Sequence, residues 1–136
     1  MNIVERRVAE LKMEGLCCSQ IVTKIVGLEA QNKENNDIVK AMRGLCYGMY
    51  TQYACGSLVG GVCALSLYDF DGEELEEACQ DLVAWFIEHF GGANCSDLLG
   101  PGGRPTTICR DSIVQTSAKC LEILEDYSLI NNNMFA

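Results

Sequence analysis

The sequence lacks the segments that direct a protein into or across a membrane. It contains no stretch of about 18 uninterrupted apolar residues, the length that a membrane-spanning helix needs. Its N-terminus, MNIVERRVAELKMEG, is charged throughout and has no apolar run of about 7 to 15 residues, which a signal peptide would carry. We therefore expect a cytoplasmic protein that has no membrane partner.

Positive charge is also scarce. Ten basic residues stand against 19 acidic ones, which gives a formal net charge of −9. This excess would repel a phosphate backbone and an anionic membrane surface, so nucleic acid is not an expected partner. The acidic cluster in residues 73–77 is typical of a solvated helix N-terminus and not of a general acid–base pair.

Two common kinds of site are missing as well. The glycines have neither the spacing nor the preceding strand of a dinucleotide-binding or phosphate-binding loop. The single histidine, His89, cannot form a histidine-based metal site, and we interpret it as a surface or capping residue at a helix C-terminus. Trp85 and Phe86 are interpreted as core aromatics.

The hydrophobic pattern predicts one all-α domain over residues 1–130, followed by a fraying tail at 131–136. With 136 residues, 49% of them hydrophobic, the chain can bury a continuous core without disulfides. Apolar residues recur at helical spacing, most clearly at 2–14, 19–30, 71–90 and 107–127. Asp37 can cap a further helix after a polar connection, and Asp71 and Glu74 form an Asp-x-x-Glu capping box at the start of 71–90. We expect a compact bundle of about five helices plus a short helical turn at NCSDLLG.

Residues 55–67 alternate small residues with leucine and valine. Glycine inside a helix costs up to about 1 kcal/mol relative to alanine, so Gly56, Gly60 and Gly61 indicate close approach of neighbouring backbones. We predict a central helix with a smooth, tightly packed face. A β-strand is the alternative, because periodicity alone does not distinguish short apolar runs.

Nine cysteines are the most unusual feature of the composition. Nine is odd, so complete intramolecular pairing is impossible. In a reducing compartment structural disulfides are rare, which favours metal, catalytic or redox roles. Cys63, Cys79 and Cys120 lie inside predicted helices near the apolar stripe, and we interpret them as core residues.

Four other cysteines stand at or within two residues of a predicted helix start: Cys18, Cys55, Cys95 and Cys109. A helix N-terminus can lower a thiol pKa from about 8.5 to about 3.5–7.5. If these ends converge, four thiolates could bind zinc or an iron–sulfur cluster, or two pairs could cycle between dithiol and disulfide. No Cys-x-x-Cys occurs, so the spacing does not choose between these, and simple packing stays open.

Five stretches, in order, resemble the landmarks of a known family: EGLCCSQIV, RGLCYGM, ACGSLVGG, NCSDLLG and ICRDSIV. They are similar to those of the C-GCAxxG-C-C family, over about residues 3–126. The resemblance maps the four signature cysteines onto Cys18, Cys55, Cys95 and Cys109. It implies a small helical redox domain, common in anaerobic prokaryotes and related to domains attached to haem-bearing modules, in some cases with an iron–sulfur centre. It implies no particular substrate.

The chain departs from the family pattern in three places. Residues 54–57 read Ala-Cys-Gly-Ser where the motif has Gly-Cys-Ala, Cys46 and Tyr47 stand where relatives tend to have glycines, and Cys17 is additional. The cysteine frame is intact, but the local loop geometry should differ. Cys17 and Cys46 could supply a replacement ligand or a resolving thiol.

Three hypotheses follow. The first is a redox protein whose four thiolates bind an iron–sulfur cluster, zinc or another thiophilic metal and exchange electrons with a partner protein. The second is a metal-free dithiol/disulfide oxidoreductase acting on a protein partner. The third is a non-enzymatic interaction module with structural cysteines. Small apolar helices such as residues 2–14 could form a homodimer interface. Tyr47, Tyr50 and Tyr53 line the approach to Cys55 and are interpreted as packing residues, with a pocket wall as the alternative.

Overall fold

The computed structural model describes residues 2–131, and its regular structure there is helical. Seven α-helices follow one another along the described chain: α1 (Ile3–Met13), α2 (Cys18–Val22), α3 (Asn36–Ala41), α4 (Gly56–Ser66), α5 (Glu74–Phe90), α6 (Cys95–Leu99) and α7 (Thr107–Asp126). The range contains no strand, only an isolated bridge between Ala54 and Asn94. The prediction of an all-α fold is confirmed. Most of the predicted tail, residues 132–136, lies outside the described residues.

The number of helices is seven in this range rather than about five plus a turn. The predicted turn at NCSDLLG is a short α-helix, which adds one helix to the count, whereas the separate helices before and after residue 32 follow the predicted pattern. α2 continues through a π-helical segment, Thr23–Leu28, and a 3₁₀ turn, Glu29–Gln31, so that its axis is prolonged without being regular. A 3₁₀ turn, Met42–Leu45, similarly prolongs α3.

Two helix starts differ in detail from the sequence pattern. The side chain of Asn35, and not that of Asp37, accepts a hydrogen bond from the N–H of Ile38 at 3.1 Å, so α3 begins one residue before Asp37. At α5 the Glu74 carboxylate accepts the Asp71 N–H, while the N-cap residue Glu73 makes no side-chain capping bond. Both differences concern which polar side chain caps the helix and leave the helices themselves in place.

α4 is the centre of the bundle and contacts α2, α5, α7 and the Thr23–Leu28 segment. Its glycines make these contacts close, as the sequence predicted. A Cβ atom at Gly60 would lie 2.7 Å from the carbonyl oxygen of Ser19, and one at Gly61 would lie 2.9 Å from Leu82. Any side chain larger than hydrogen would therefore push α2 or α5 away from α4.

The outer helices close the core around α4. Val4, Val8 and Leu11 of α1 are buried, and α1 packs on α7. Arg7 joins α1 to the Glu29–Gln31 turn through two hydrogen bonds to the Glu29 carboxylate, at 2.9 and 2.7 Å. No helix among residues 2–131 has the length and apolar character needed to cross a bilayer.

Candidate functional site

A cavity of about 300 Å³ lies where several helix starts meet. Six of the nine cysteines line it: Cys17, Cys18, Cys46, Cys55, Cys95 and Cys109. The other three, which the sequence assigned to the core, do not line it. The structure therefore places the four cysteines singled out by their helix-start positions around a single space.

Each of the four comes from a different helix. Cys18 and Cys95 are the first residues of α2 and α6, Cys55 is the N-cap residue of α4, and Cys109 lies in the first turn of α7. Cys55 and Cys95 are buried, whereas Cys18 and Cys109 are half-buried. Because the four residues are far apart in the chain, their meeting depends on how the helices pack.

Two pairs of hydrogen bonds hold the helix starts together. The Cys55 N–H donates to the Ala93 carbonyl at 2.8 Å and the Cys95 N–H to the Tyr53 carbonyl at 2.7 Å, which ties the start of α4 to that of α6. Ser112 donates to the Cys109 carbonyl at 2.7 Å, and its hydroxyl lies 2.9 Å from that of Ser57. The second pair ties α7 to α4 across the cavity wall.

Gly56 allows the start of α2 to lie close to α4 at the cavity. A Cβ atom at residue 56 would collide with the Cys18 Sγ and would lie 3.1 Å from the Leu45 carbonyl oxygen. Glycine therefore lets the Cys18 side chain pack directly on the α4 backbone next to Cys55. The departure from the family's Gly-Cys-Ala pattern thus coincides with the contact between two of the four cysteines.

A disulfide joins Cys17 to Cys46, with their Cα atoms 6.0 Å apart. It links the residue before α2 to the residue after the Met42–Leu45 turn, and both cysteines line the cavity. The sequence predicted disulfides to be rare, so this bond differs from that expectation. The physical reason is proximity, since the Ser19 hydroxyl donates to the Met42 carbonyl at 2.8 Å and holds the two segments together beside the bond.

Residues 47–53, which we call the strap, run along the cavity. Tyr47, Met49, Tyr50 and Gln52 adopt left-handed backbone conformations, with φ between 51° and 62°. Tyr47 donates a hydrogen bond to the Gly103 carbonyl, and the Gln52 amide donates to the Gly100 carbonyl at 3.0 Å. The strap is therefore fastened to the loop at residues 100–105. Non-glycine residues in this region are uncommon and indicate a conformation imposed by the surrounding structure.

Tyr47 and Tyr50 line the cavity, so the pocket-wall alternative describes these two residues and the packing interpretation does not. Tyr53 lies outside the lining and is largely exposed. Lys12 also lines the cavity and is its one charged wall residue within the described chain. The sequence offered no signal for Lys12, whereas Ser57 and Ser112 stand two and three residues after a signature cysteine.

Burial raises the pKa of Cys18, Cys55 and Cys95, in the case of Cys95 to about 11. The sequence predicted the opposite direction from the helix-start positions. Backbone N–H groups do lower the pKa of Cys18 and Cys55, but the apolar surroundings outweigh them. Charge on a neighbouring thiol raises each pKa further. These three thiols are therefore protonated at neutral pH when no cation is present.

The side chains fit some thiophilic groups better than others. Six of the lining residues are cysteines, and sulfur ligands suit zinc and iron–sulfur clusters. No set of three or more histidine, cysteine or carboxylate groups in residues 2–131 is arranged to hold a single metal ion. Iron–sulfur clusters are held by thiolates around a cavity, which is the kind of lining that these cysteines form.

The remaining candidates lie elsewhere. His89 is in the last turn of α5 and stacks on Trp85 with ring centroids 5.2 Å apart. Cys120 is fully buried, and Cys79 packs against the core. Cys63 is half-buried in α4.

Comparison with known proteins gives one match. The family model described as "Putative redox-active protein (C_GCAxxG_C_C)" matches residues 16–133, and the chain belongs to this family. Curated proteins give no match, nor do solved structures. The matched range contains all six cysteines that line the cavity. The description of the family names redox activity as its general class of function.

Proposed function

We propose that this member of the C_GCAxxG_C_C family is an electron-transfer protein in which Cys18, Cys55, Cys95 and Cys109 bind an iron–sulfur cluster or another thiophilic metal. One observation carries the proposal: four thiols from four helices line one cavity. When bound, such a cluster would accept and release single electrons. The partner in this exchange would be a redox protein.

The raised pKa values of the thiols support a role for a metal cation in the cavity. Four thiolates around one apolar space would repel each other. This repulsion adds to the effect of burial, and both raise the pKa of Cys55 and Cys95. A metal deprotonates the thiols that it binds and removes that repulsion. Loading would therefore release protons, with the apolar walls limiting access of water to the sulfurs.

The surrounding residues would tune the bound group. The Ser57 hydroxyl and the N–H groups of Ser57 and Leu58 face the Cys55 sulfur and favour its charged form. Hydrogen bonds to ligand sulfurs and solvent exposure are the main means by which proteins set the potential of a cluster. Replacing Ser57 with alanine should therefore lower the reduction potential, because the reduced, more negative cluster loses a donor.

The test is anaerobic purification followed by iron, zinc and labile-sulfide analysis, with reconstitution from iron and sulfide. The variant carrying serine at residues 18, 55, 95 and 109 should lose the metal. A matched variant carrying serine at residues 63 and 79 should keep it, because those two thiols lie outside the cavity. A wild-type protein that never holds metal, and whose stability is unchanged by the fourfold replacement, would contradict the proposal.

A second function is supported by the Cys17–Cys46 disulfide in the cavity wall. In a dithiol/disulfide exchange, a reduced partner dithiol would give two electrons and two protons to this bond. Cys17 and Cys46 would become thiols, and the partner would become a disulfide. Thiol titration of metal-free protein at controlled potential distinguishes the two functions. A reversible two-electron couple that is lost in Cys46→Ser, but kept in Cys63→Ser, would support exchange.

A further inference from the structure

The chain segment that contains much of the cavity lining differs from the rest of the chain in its acidic residues. Residues 38–68 contain no aspartate or glutamate, although the whole chain has 19 acidic residues. The strap lies within this acid-free stretch, and its Tyr50 hydroxyl donates to the Arg43 carbonyl at 3.3 Å. The segment that borders the cavity is therefore free of the charge that dominates the composition.

Four cations line the cavity or lie within three residues of a lining residue in the sequence: Lys12, Arg43, Arg104 and Arg110. Lys12 is part of the lining, Arg104 precedes the lining residue Pro105, and Arg110 follows Cys109. All four are exposed, and none forms an ion pair within residues 2–131. The nearest acids in the sequence are Glu10 and Glu14, which flank Lys12 and lie 3.2 and 3.9 Å from Arg7, and Asp111, which follows Arg110. Asp97 of α6 lies near the cavity as well, and its carboxylate accepts the Asn94 N–H. These four cations, which we call the cationic rim, thus belong to segments that line or flank the cavity, on a protein of net charge −9.

The strap adds apolar surface to this rim. Met49, Tyr50 and Tyr53 are 46%, 68% and 65% exposed, three large hydrophobic side chains within five residues. Met49 and Tyr50 are exposed from left-handed backbone conformations, which are unfavourable for residues other than glycine. The fold therefore maintains an unfavourable backbone that presents apolar and aromatic side chains beside the thiols. Exposed aromatic groups bordered by charge are typical of protein interaction surfaces.

We propose that this face, the cationic rim together with Met49, Tyr50 and Tyr53, is the docking surface for an acidic redox protein. The inference depends on the proposed redox function, because it names the kind of partner that reaches the cavity. Charge complementarity selects that partner. The net charge of −9 would favour a basic partner, whereas the rim favours an acidic one, so the two views give opposite expectations.

Equilibrium binding to two probes separates these expectations. The acidic probe is a two-iron ferredoxin of net negative charge, and the basic probe is a c-type cytochrome of net positive charge. We expect the acidic probe to bind at least about tenfold more tightly at low salt, with affinity falling as salt screens the rim. A preference for the cytochrome, or no binding of the ferredoxin, would overturn the proposal.

Matched charge reversals locate the effect. Arg43→Glu combined with Arg104→Glu should weaken ferredoxin binding by at least about tenfold, because like charges then face each other. Lys24→Glu combined with Lys33→Glu changes the net charge equally but lies at a separate polar cleft, and it should weaken binding less than about threefold. Equal losses in both pairs would show a whole-molecule charge effect and overturn the assignment of the surface.

The apolar part has its own test at high salt, where charge is screened. Tyr50→Ser combined with Tyr53→Ser should abolish the binding that persists there, and unchanged binding would exclude the strap from the surface. Iron and sulfide are measured on the same samples. Ferredoxin binding without any metal would contradict the proposed cofactor and leave the docking surface supported. Metal without ferredoxin binding would support the cofactor and contradict the docking surface.

Discussion

At the cavity, cysteines stand at helix starts and loop ends beside hydrogen-bonding serines and a strained strap. Between α4, α5 and α7, by contrast, Cys120 lies inside a helix among apolar side chains. A Cβ atom at Gly61 would be only 3.1 Å from the Cys120 Sγ, so this thiol fills space as a small hydrophobic side chain. The same residue type therefore has different surroundings at the two places, and its position within the helix distinguishes them.

The two regions also differ in how burial acts on the thiols. Burial raises the pKa of Cys120 even more strongly than that of Cys95. Cys120 lacks hydrogen bonds that would favour its charged form, whereas Cys18 and Cys55 receive backbone N–H groups that partly offset burial. A thiol in the core is inert, but a thiol at the cavity can be deprotonated once a cation is supplied.

Phe86→Ala should have the largest effect on stability among these variants, and it changes the core and not the cavity. Phe86 is fully buried in α5, so its removal should destabilise the protein by about 3–5 kcal/mol through lost burial and a cavity. The metal bound per folded molecule should not change. Denaturant unfolding together with iron analysis checks both. The control is Cys55→Ser, which should abolish metal binding at a much smaller cost in stability; metal lost equally in both variants would contradict a separate role for the cavity.

Gly56→Ala should have the next largest effect, on the cavity side. Its Cβ would collide with the Cys18 Sγ, and overpacking of this kind costs about 1–3 kcal/mol. Metal content should fall as well, since Cys18 moves. Gly44→Ala is the matched control, because no atom lies within 4 Å of a Cβ there. Thermal unfolding and iron analysis of the pair are the measurement, and equal behaviour of the two variants would refute the proposed contact.

A rise in pH should lower the stability of the metal-free protein through Cys95 at the cavity. The pKa of Cys95 rises from 9.0 to about 11 on folding, so the folded state holds this proton more tightly than the unfolded state. Its contribution to stability is present below pH 9 and is lost as the pH rises towards 11. Urea unfolding across this range should show the decline, reduced in Cys95→Ser. Metal affinity should rise over the same range, because deprotonated thiols are the ligands; a parallel fall would count against cavity ligation.

Gln52→Ala should have the smallest effect on stability. It removes the bonds from the strap to Gly100 and Gly102, at a cost of about 1 kcal/mol. The strap should then open more often, so the cavity thiols should react faster with a thiol reagent. Cys120 should remain unreactive and serves as the internal control. A reaction rate unchanged from wild type would show that the strap does not limit access to the cavity.

Much of this organisation could be predicted from local sequence. The helical spacing of Val4, Val8 and Leu11, and the glycines of α4, indicated elements and close contacts that the fold contains. The four cysteines at helix starts line the cavity and the three inside helices do not, whereas Cys17 and Cys46, which belonged to neither group, line it as well. These features depend on neighbours in the chain, which is why they can be read without coordinates.

The rest required knowledge of distant contacts. The Cys17–Cys46 bond, the Lys12 and Ser112 walls and the strap conformation arise from segments that are far apart in sequence. The direction of the thiol pKa shifts was predicted wrongly, because a helix start is visible in sequence whereas the depth of burial is not.

The sequence by itself determined the all-α class, the family and the four cysteines at helix starts, since periodicity, turn residues and motif order are local properties. Only the tertiary structure decided that these cysteines line one cavity and that two more line it as a disulfide. The physical reason is that helix packing sets the distances between thiols and their access to water. Those two quantities in turn control thiol chemistry.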